Sequence, residues 1–169
     1  MATILKSGER EFRENPGRRE LFRLFTDASR AERGVVPQTL NFDLRQLSPG
    51  QYSSAYHFHR NAEELFMIVA GSATLRTPAG LEEVGAGDLI FIETGASGAH
   101  QLYNHTDEIC TYLDIRTFNG CDVCEYPDTG KLLIIPTMEA FGRDTRQGYF
   151  DGEENVADIW QKIRQESEK

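Results

Sequence analysis

The sequence has no apolar run approaching the ~20 residues that a membrane-spanning helix needs. Its opening stretch, Met1 to Arg10, holds no apolar signal core. Both absences point to a soluble chain, with the cytoplasm as its expected location. Basic residues are scarce: 18 Lys and Arg stand against 27 Asp and Glu, a formal net charge of −9. Such a surface repels phosphate backbones and anionic lipid, so nucleic acid and membrane are poor partners. Cysteines number three, Cys110, Cys121 and Cys124. An odd count without an export signal argues against a disulfide framework. Internal repeats and low-complexity tracts are also missing, and 169 residues leave no room for two barrels. What remains is one domain of ordinary globular composition, 39% apolar and 27% charged.

Residues 1–37 form a polar N-terminal extension in which Leu21, Phe22, Leu24 and Phe25 suit either a short helix or a strand. From Gln38 the pattern changes. Leu40, Phe42 and Leu44 alternate with polar residues, as in a half-buried strand. Further β-like runs follow over 54–59, 64–70, 73–77, 81–84, 89–92, 99–104 and 109–117, and one more over 131–135. Gly, Pro and Asn separate them. Many short strands split by turn residues predict an all-β sandwich or barrel, here over 38–136. The remainder, 137–169, is a C-terminal extension. Val156, Ile159, Trp160 and Ile163 fall at helical spacing, which predicts a short amphipathic helix over 153–166.

The chain has four histidines, and three of them fall in one arrangement. His57 and His59 lie two apart in a β-like run, so both imidazoles share a face while Phe58 points the other way. Glu64 opens the next run, sharing its face with Phe66, Ile68 and Ala70. Two adjacent antiparallel strands would bring two imidazoles and a carboxylate together. His100, on a later strand, can join them as a fourth ligand. Nitrogen and oxygen donors of this kind suit one divalent Fe, Mn, Ni or Zn ion and leave positions open for water or substrate. A single histidine is usually a surface or core residue, but a His-x-His pair on an inward face needs a reason.

Gly50-x6-His57-x-His59-x4-Glu64-x6-Gly71 resembles the first motif of the cupins. Gly87-Asp88-x4-Glu93-Thr94-Gly95-x4-His100-x3-Asn104 resembles the second, with Glu93 where the family usually has Pro and two extra residues before His100. The Gly98-x-His100-x-Leu102-x-Asn104 form, followed by Tyr126-Pro127-Asp128, is similar to single-domain bacterial cupins of the conserved-barrel type. The resemblance spans about 38–117. It implies a double-stranded β-helix (jelly-roll) barrel with His57, His59, Glu64 and His100 as metal ligands. It also implies a range of reactions, among them dioxygenase, isomerase, decarboxylase and lyase chemistry.

Other residues are weighed beside these. Cys121-x-x-Cys124 opens no helix after a strand, so free thiols are expected ahead of a dimer-bridging metal or disulfide. Tyr52, Tyr56, Tyr103 and Tyr112 are candidate acids, bases or phenolic donors, but parity turns Tyr56 and Tyr103 outward. Phe66, Ile68, Leu102 and Phe91 share the ligand face and are expected to line the pocket or fill the core. Glu93 is placed near the mouth, and Asn104 reads as a turn former. No second acid–base pair stands out, so catalytic residues stay unassigned. The expected function is a metal-dependent enzyme, oxygenase-like or isomerase-like, acting on a small polar metabolite. The alternative is a sensor that uses the metal to orient a small ligand. The terminal extensions favour a homodimer, through residues 1–37 or the Trp160 helix; residues 1–37 could equally cover their own barrel.

Overall fold

The computed structural model describes residues 2–145 and 147–167; Met1, Arg146, Glu168 and Lys169 of the extensions lie outside it. In chain order the strands are β1 (Phe12–Glu14), β2 (Phe25–Asp27), β3 (Leu40–Leu47), β4 (Phe58–His59), β5 (Glu64–Ala70), β6 (Ser72–Thr77) and β7 (Gly80–Gly85). They continue as β8 (Leu89–Ile92), β9 (Gln101–Tyr103), β10 (Cys110–Thr117), β11 (Asp122–Tyr126), β12 (Lys131–Ile135) and β13 (Glu139–Phe141). Helix α1 (Ser29–Glu32) precedes β3, and α2 (Val156–Ser167) follows β13. No helix among the described residues is long and apolar enough to cross a membrane.

Three antiparallel sheets result. One runs β1-β2-β3-β10-β5-β8, a second β13-β12-β11-β4, and a third β7-β6-β9. The alternation expected at Leu40, Phe42 and Leu44 is not seen in β3, where Leu40 is exposed and Phe42 and Leu44 are half-buried like their neighbours. Burial alternates instead along β10, where Cys110, Tyr112 and Asp114 are buried and the residues between them are not. Leu47, Phe66, Ile68, Leu75, Leu102 and Tyr112 are central to the shared core. Gly71 makes the tight turn from β5 to β6 with φ +74°, and a Cβ there would meet the Ile109 carbonyl oxygen at 2.6 Å. Only glycine serves both needs.

Three further expectations change. Residues 54–56 are bends rather than strand, His57 forms an isolated bridge, and β4 keeps only Phe58 and His59. His57 is still held like a strand residue, by paired backbone hydrogen bonds to His100 (2.9 and 3.3 Å). Ala70 does not share the inward face of Glu64, Phe66 and Ile68, because the β5–β10 register shifts between Thr111 and Tyr112. Such an irregularity breaks the two-residue period. Phe91 is 61% exposed, whereas Ile92 of the same strand is buried, so Phe91 faces away from the core and the pocket.

The N-terminal extension is structural. Strand β2 pairs with β3, Phe25 opposite Gln46 and Thr26 opposite Arg45, and β1 adds outside it. Leu24 is fully buried in the barrel core. Of the two readings of Leu21 to Phe25, both hold in part: Glu20–Phe22 is a 3-10 turn and Phe25 begins a strand. Helix α2 forms as predicted but leaves Val156, Ile159, Trp160 and Ile163 about half exposed.

Candidate metal centre

The four predicted ligand residues converge. Glu64 Oε2 lies 3.0 Å from His100 Nε2 and 3.6 Å from His59 Nε2. The His57 ring centroid is 5.0 Å from that of His59 and 4.7 Å from that of His100. Donor atoms of His57, Glu64 and His100 all lie within 4.8 Å of one another. His59, Glu64 and His100 are buried. The two extra residues before His100 are absorbed in a 3-10 turn, Ala96–Gly98, tied to β4 by a 2.7 Å hydrogen bond from Gly95 N to His59 O.

Each imidazole is oriented through its Nδ1. His57 Nδ1 donates to Ala55 O at 2.9 Å, and His100 Nδ1 donates to Gly98 O at 2.9 Å. His59 Nδ1 donates to Asp122 Oδ2. With a proton fixed on each Nδ1, Nε2 is left for a metal, which is how metal-binding imidazoles are set up by their neighbours. Asp122 is itself held, its Oδ1 accepting from Asn61 N (2.9 Å) and Val123 N (2.8 Å). Glu64 Oε2 is buried without a well-aimed hydrogen-bond partner. A buried carboxylate oxygen without such a bond is costly, and a cation among these donors would satisfy it. The donor set therefore fits a divalent metal.

Electrostatics agree. Burial pushes the His57 pKa down to about 3, with the His100 charge adding to the effect, so this imidazole is neutral at physiological pH. Burial alone would raise Glu64, but the close approach and charge of His100, 3.0 Å away, then His59 and His57, outweigh it and hold the carboxyl at about 2. Burial opposes charge on His100 as well, yet Glu64 keeps its pKa above the ordinary value. In the metal-free protein His100 Nε2 and Glu64 thus hold a proton between them, and a metal ion would take the place of that proton.

Two neighbours were not legible in the sequence. Asp122, 63 positions from His59, is one. Cys124 is the other: it pairs with His59 across β11 and β4, its Sγ 3.3 Å from His59 Nδ1 and 3.9 Å from Nε2. With His57 and His59 it forms a second group of closely spaced donors. Burial raises its thiol pKa to about 12, so without a metal it is a neutral thiol. All three cysteines are free within the chain.

The ligand residues face a cavity of about 240 Å3. Phe66 and Tyr112 line it, along with Arg18, Arg45, Arg116 and Asp114. Tyr126 also lines it, its ring near-parallel to His57 at 5.7 Å. Of the four candidate tyrosines only Tyr112 reaches the cavity. Tyr52 and Tyr103 stack on each other at 4.6 Å. Tyr56 is buried beneath the Arg76 guanidinium, 3.8 Å from its ring, instead of facing outward. Ile68 and Leu102 are core. Glu93 is exposed and accepts a hydrogen bond from Ser97. Asn104 is a buried turn clamp: its Nδ2 donates to Leu47 O and Glu108 O, both at 2.7 Å.

Comparison with known proteins bears on this geometry. Residues 44–116 match the Cupin_2 cupin-domain family. Comparison with curated proteins gave no match. Among solved structures, a sugar phosphate isomerase of Silicibacter pomeroyi superposes with a TM-score of 0.72 at 20% identity, covering 88% of this chain and 98% of that one. A protein of Acidithiobacillus ferrooxidans to which the same activity has been ascribed gives 0.70 at 22%, covering 86% and 95%. The polyketide cyclase RemF of Streptomyces resistomycificus gives 0.54 at 21%, covering 69% and 80%. At these identities the likeness establishes the fold. Family match, antiparallel sheets and neighbours agree: residues 44–116 match a cupin domain, and the chain has a cupin-type fold.

Proposed function

We propose that the protein is a metal-dependent enzyme of isomerase type, acting on a small polar metabolite, with one divalent ion held by His57, His59, Glu64 and His100. The observation that carries this reading is the donor set. Three imidazoles have Nδ1 tied, which leaves Nε2 for a metal, beside a buried Glu64 oxygen without a well-aimed hydrogen bond. When bound, a divalent ion supplies Lewis acidity toward a carbonyl or hydroxyl oxygen. The chain's residues supply the rest. Phe66 and Tyr126 give the cavity apolar walls that exclude water. Tyr112 keeps its hydroxyl proton, since burial raises its pKa to about 12, and so presents a donor. Asp114, whose pKa burial raises against the opposing pull of Arg45, is a buried carboxyl able to carry a proton. Isomerisation is favoured over oxygenation because the two neighbours that cover nearly the whole chain are described as sugar phosphate isomerases. A site with room beside its ligands is also an extravagant staple for a barrel that has its own core.

The test is elemental analysis of untagged protein, followed by NMR of candidate aldoses and ketoses in D2O. Wild-type protein is expected to carry stoichiometric metal and His57→Ala to lose it. Deuterium exchange or interconversion of a substrate should follow the metal content. Absence of stoichiometric metal after gentle purification refutes the site. Ligand binding without turnover would instead make the protein a sensor.

A further inference from the structure

The metal reading leaves one wall of the cavity without a task. Three guanidinium groups, Arg18, Arg45 and Arg116, line it together with two carboxylates, Glu64 and Asp114. Arg45 is neutralised, its Nη1 2.8 Å from Asp114 and its Nη2 3.3 Å from Asp43. Arg116 comes no nearer than 4.0 Å to Glu64 Oε1. Arg18 differs from both. Its Nη1 donates to Ser53 O (2.7 Å) and Phe22 O (3.2 Å), and among the described residues no carboxylate pairs with it. Those two backbone bonds fix the guanidinium in place and leave Nη2 and Nε for something else. A fixed, partly buried cation beside another cation, Arg45, is unfavourable unless an anion joins it.

A second observation points the same way. The hydroxyl of Tyr112 and Arg45 Nε are buried and lack a well-aimed hydrogen-bond partner, while the two side chains lie close enough to interact with one another. Both residues line the same cavity as Arg18. Arg18 presents an N–H fork, and the Tyr112 O–H remains a donor even when its oxygen accepts from Arg45. Donors lining one space call for an acceptor, and a fixed fork matches carboxylate or phosphate oxygens.

We propose that this wall is an anion subsite, and that the metabolite carries a carboxylate or phosphate group bound there by Arg18, with Tyr112 and Arg45 assisting. The subsite deepens the enzyme reading and rests on it only in assigning the metabolite's other end to the metal. Arg18 comes from the N-terminal extension, so the extension completes the pocket as well as widening the sheet. The division of labour is geometric. Lone pairs of His57, His59, Glu64 and His100 face a cation, while N–H and O–H groups of Arg18, Arg45 and Tyr112 face an anion. A small metabolite bridging the two is held by both ends.

Calorimetric titration of the full chain tests this, as purified and again after chelation and removal of metal, with inorganic phosphate and with acetate as probes. Saturable binding of at least one probe is expected in both preparations. Whichever binds identifies the group as phosphate or carboxylate. Arg18→Gln should weaken binding about tenfold, the worth of one charge-assisted fork, and Arg18→Lys should weaken it less. Arg33→Gln, the same charge change on the surface, should leave it unaltered. Tyr112→Phe guards against a folding defect. It removes a hydroxyl that touches Arg45, itself paired with Asp114 and Asp43, so thermal stability should change little while anion affinity falls. No saturable binding, or undiminished affinity in both Arg18→Gln and Tyr112→Phe, overturns the subsite. Binding that disappears with the metal and ignores Arg18 also overturns it. Because the chelated protein is tested separately, a failure of the metal centre and a failure of the subsite give different results.

Discussion

Replacing Asp122 by Asn should disable the metal centre without touching a ligand. In the native protein Asp122 Oδ2 accepts the His59 Nδ1 proton, while Oδ1 accepts from Asn61 N and Val123 N. Asparagine keeps a carbonyl oxygen for the two backbone donors. Its amide nitrogen then faces His59, where a donor would meet a donor. The imidazole can relieve the clash only by moving its proton to Nε2, the lone pair the metal needs. Loss of such an outer partner weakens metal binding about 10–100-fold, equivalent to about 1.4–2.8 kcal/mol. Competition against a chromophoric chelator, with Co2+ and Zn2+, reads the change directly. Thr74→Val is the matched control. It removes the 2.8 Å contact to His105 Nδ1, away from the site, and should leave affinity unchanged. If Asp122→Asn stays folded and binds metal within about twofold of wild type, where tenfold is the least expected, then tautomer control of His59 is wrong.

Gly98→Ala should damage the same centre from the other side: its Cβ would stand 1.8 Å from the Glu93 carbonyl oxygen, so the turn carrying the His100 Nδ1 acceptor must shift. Overpacking of this kind costs about 1–3 kcal/mol, and thermal denaturation together with metal titration should show both losses; an unchanged Tm and metal affinity would contradict the turn's role. Alkylation with iodoacetamide at pH 8 should label only Cys121, which is exposed, because burial raises the thiol pKa of Cys110 to about 11 and of Cys124 to about 12. The same two thiols ionise near 9.0 once unfolded, so their contribution to stability is complete below that pH and is lost as pH rises toward 12. Mass spectrometry of tryptic peptides checks the labelling, and denaturant titrations across that range check the pH slope.

The four ligand residues were legible because each is marked locally. His57 and His59 are fixed by strand parity, Glu64 by opening the next apolar run, and His100 by its place between Gly98 and Asn104. Asp122 and Cys124 carry no such mark. They approach His59 only because β11 pairs with β4 across more than sixty positions, and single-sequence patterns contain no pairing partner at that distance. Parity also failed at Tyr56, which is buried under Arg76, and in a physically specific way at two further places. Ala70 sits where the β5–β10 register shifts, and Phe91 belongs to a strand whose inward residues are Ile90 and Ile92. The shift at Ala70 exchanges faces without changing the hydrophobic pattern that parity reads.

The N-terminal extension shows the same limit at larger scale. Residues 1–37 read as a polar extension, a dimer contact or a cover, because their apolar clusters are too short to reveal a period. Yet Leu24 is fully buried in the core, β2 extends the main sheet, and Arg18 reaches the cavity beside Tyr112. A cover that merely shielded the barrel would have no use for a guanidinium anchored to two backbone carbonyls and facing no carboxylate. Nor would a barrel needing only a metal leave the Tyr112 O–H as a buried donor lining the same space. The barrel motifs can specify the cation end of this site, because metal ligands come from its strands. The anion end depends on a segment outside those motifs, so two chains with identical metal residues can select different metabolites. If the proposed subsite holds, substrate choice is therefore to be sought first in Arg18 and the Phe22 and Ser53 carbonyls that hold it.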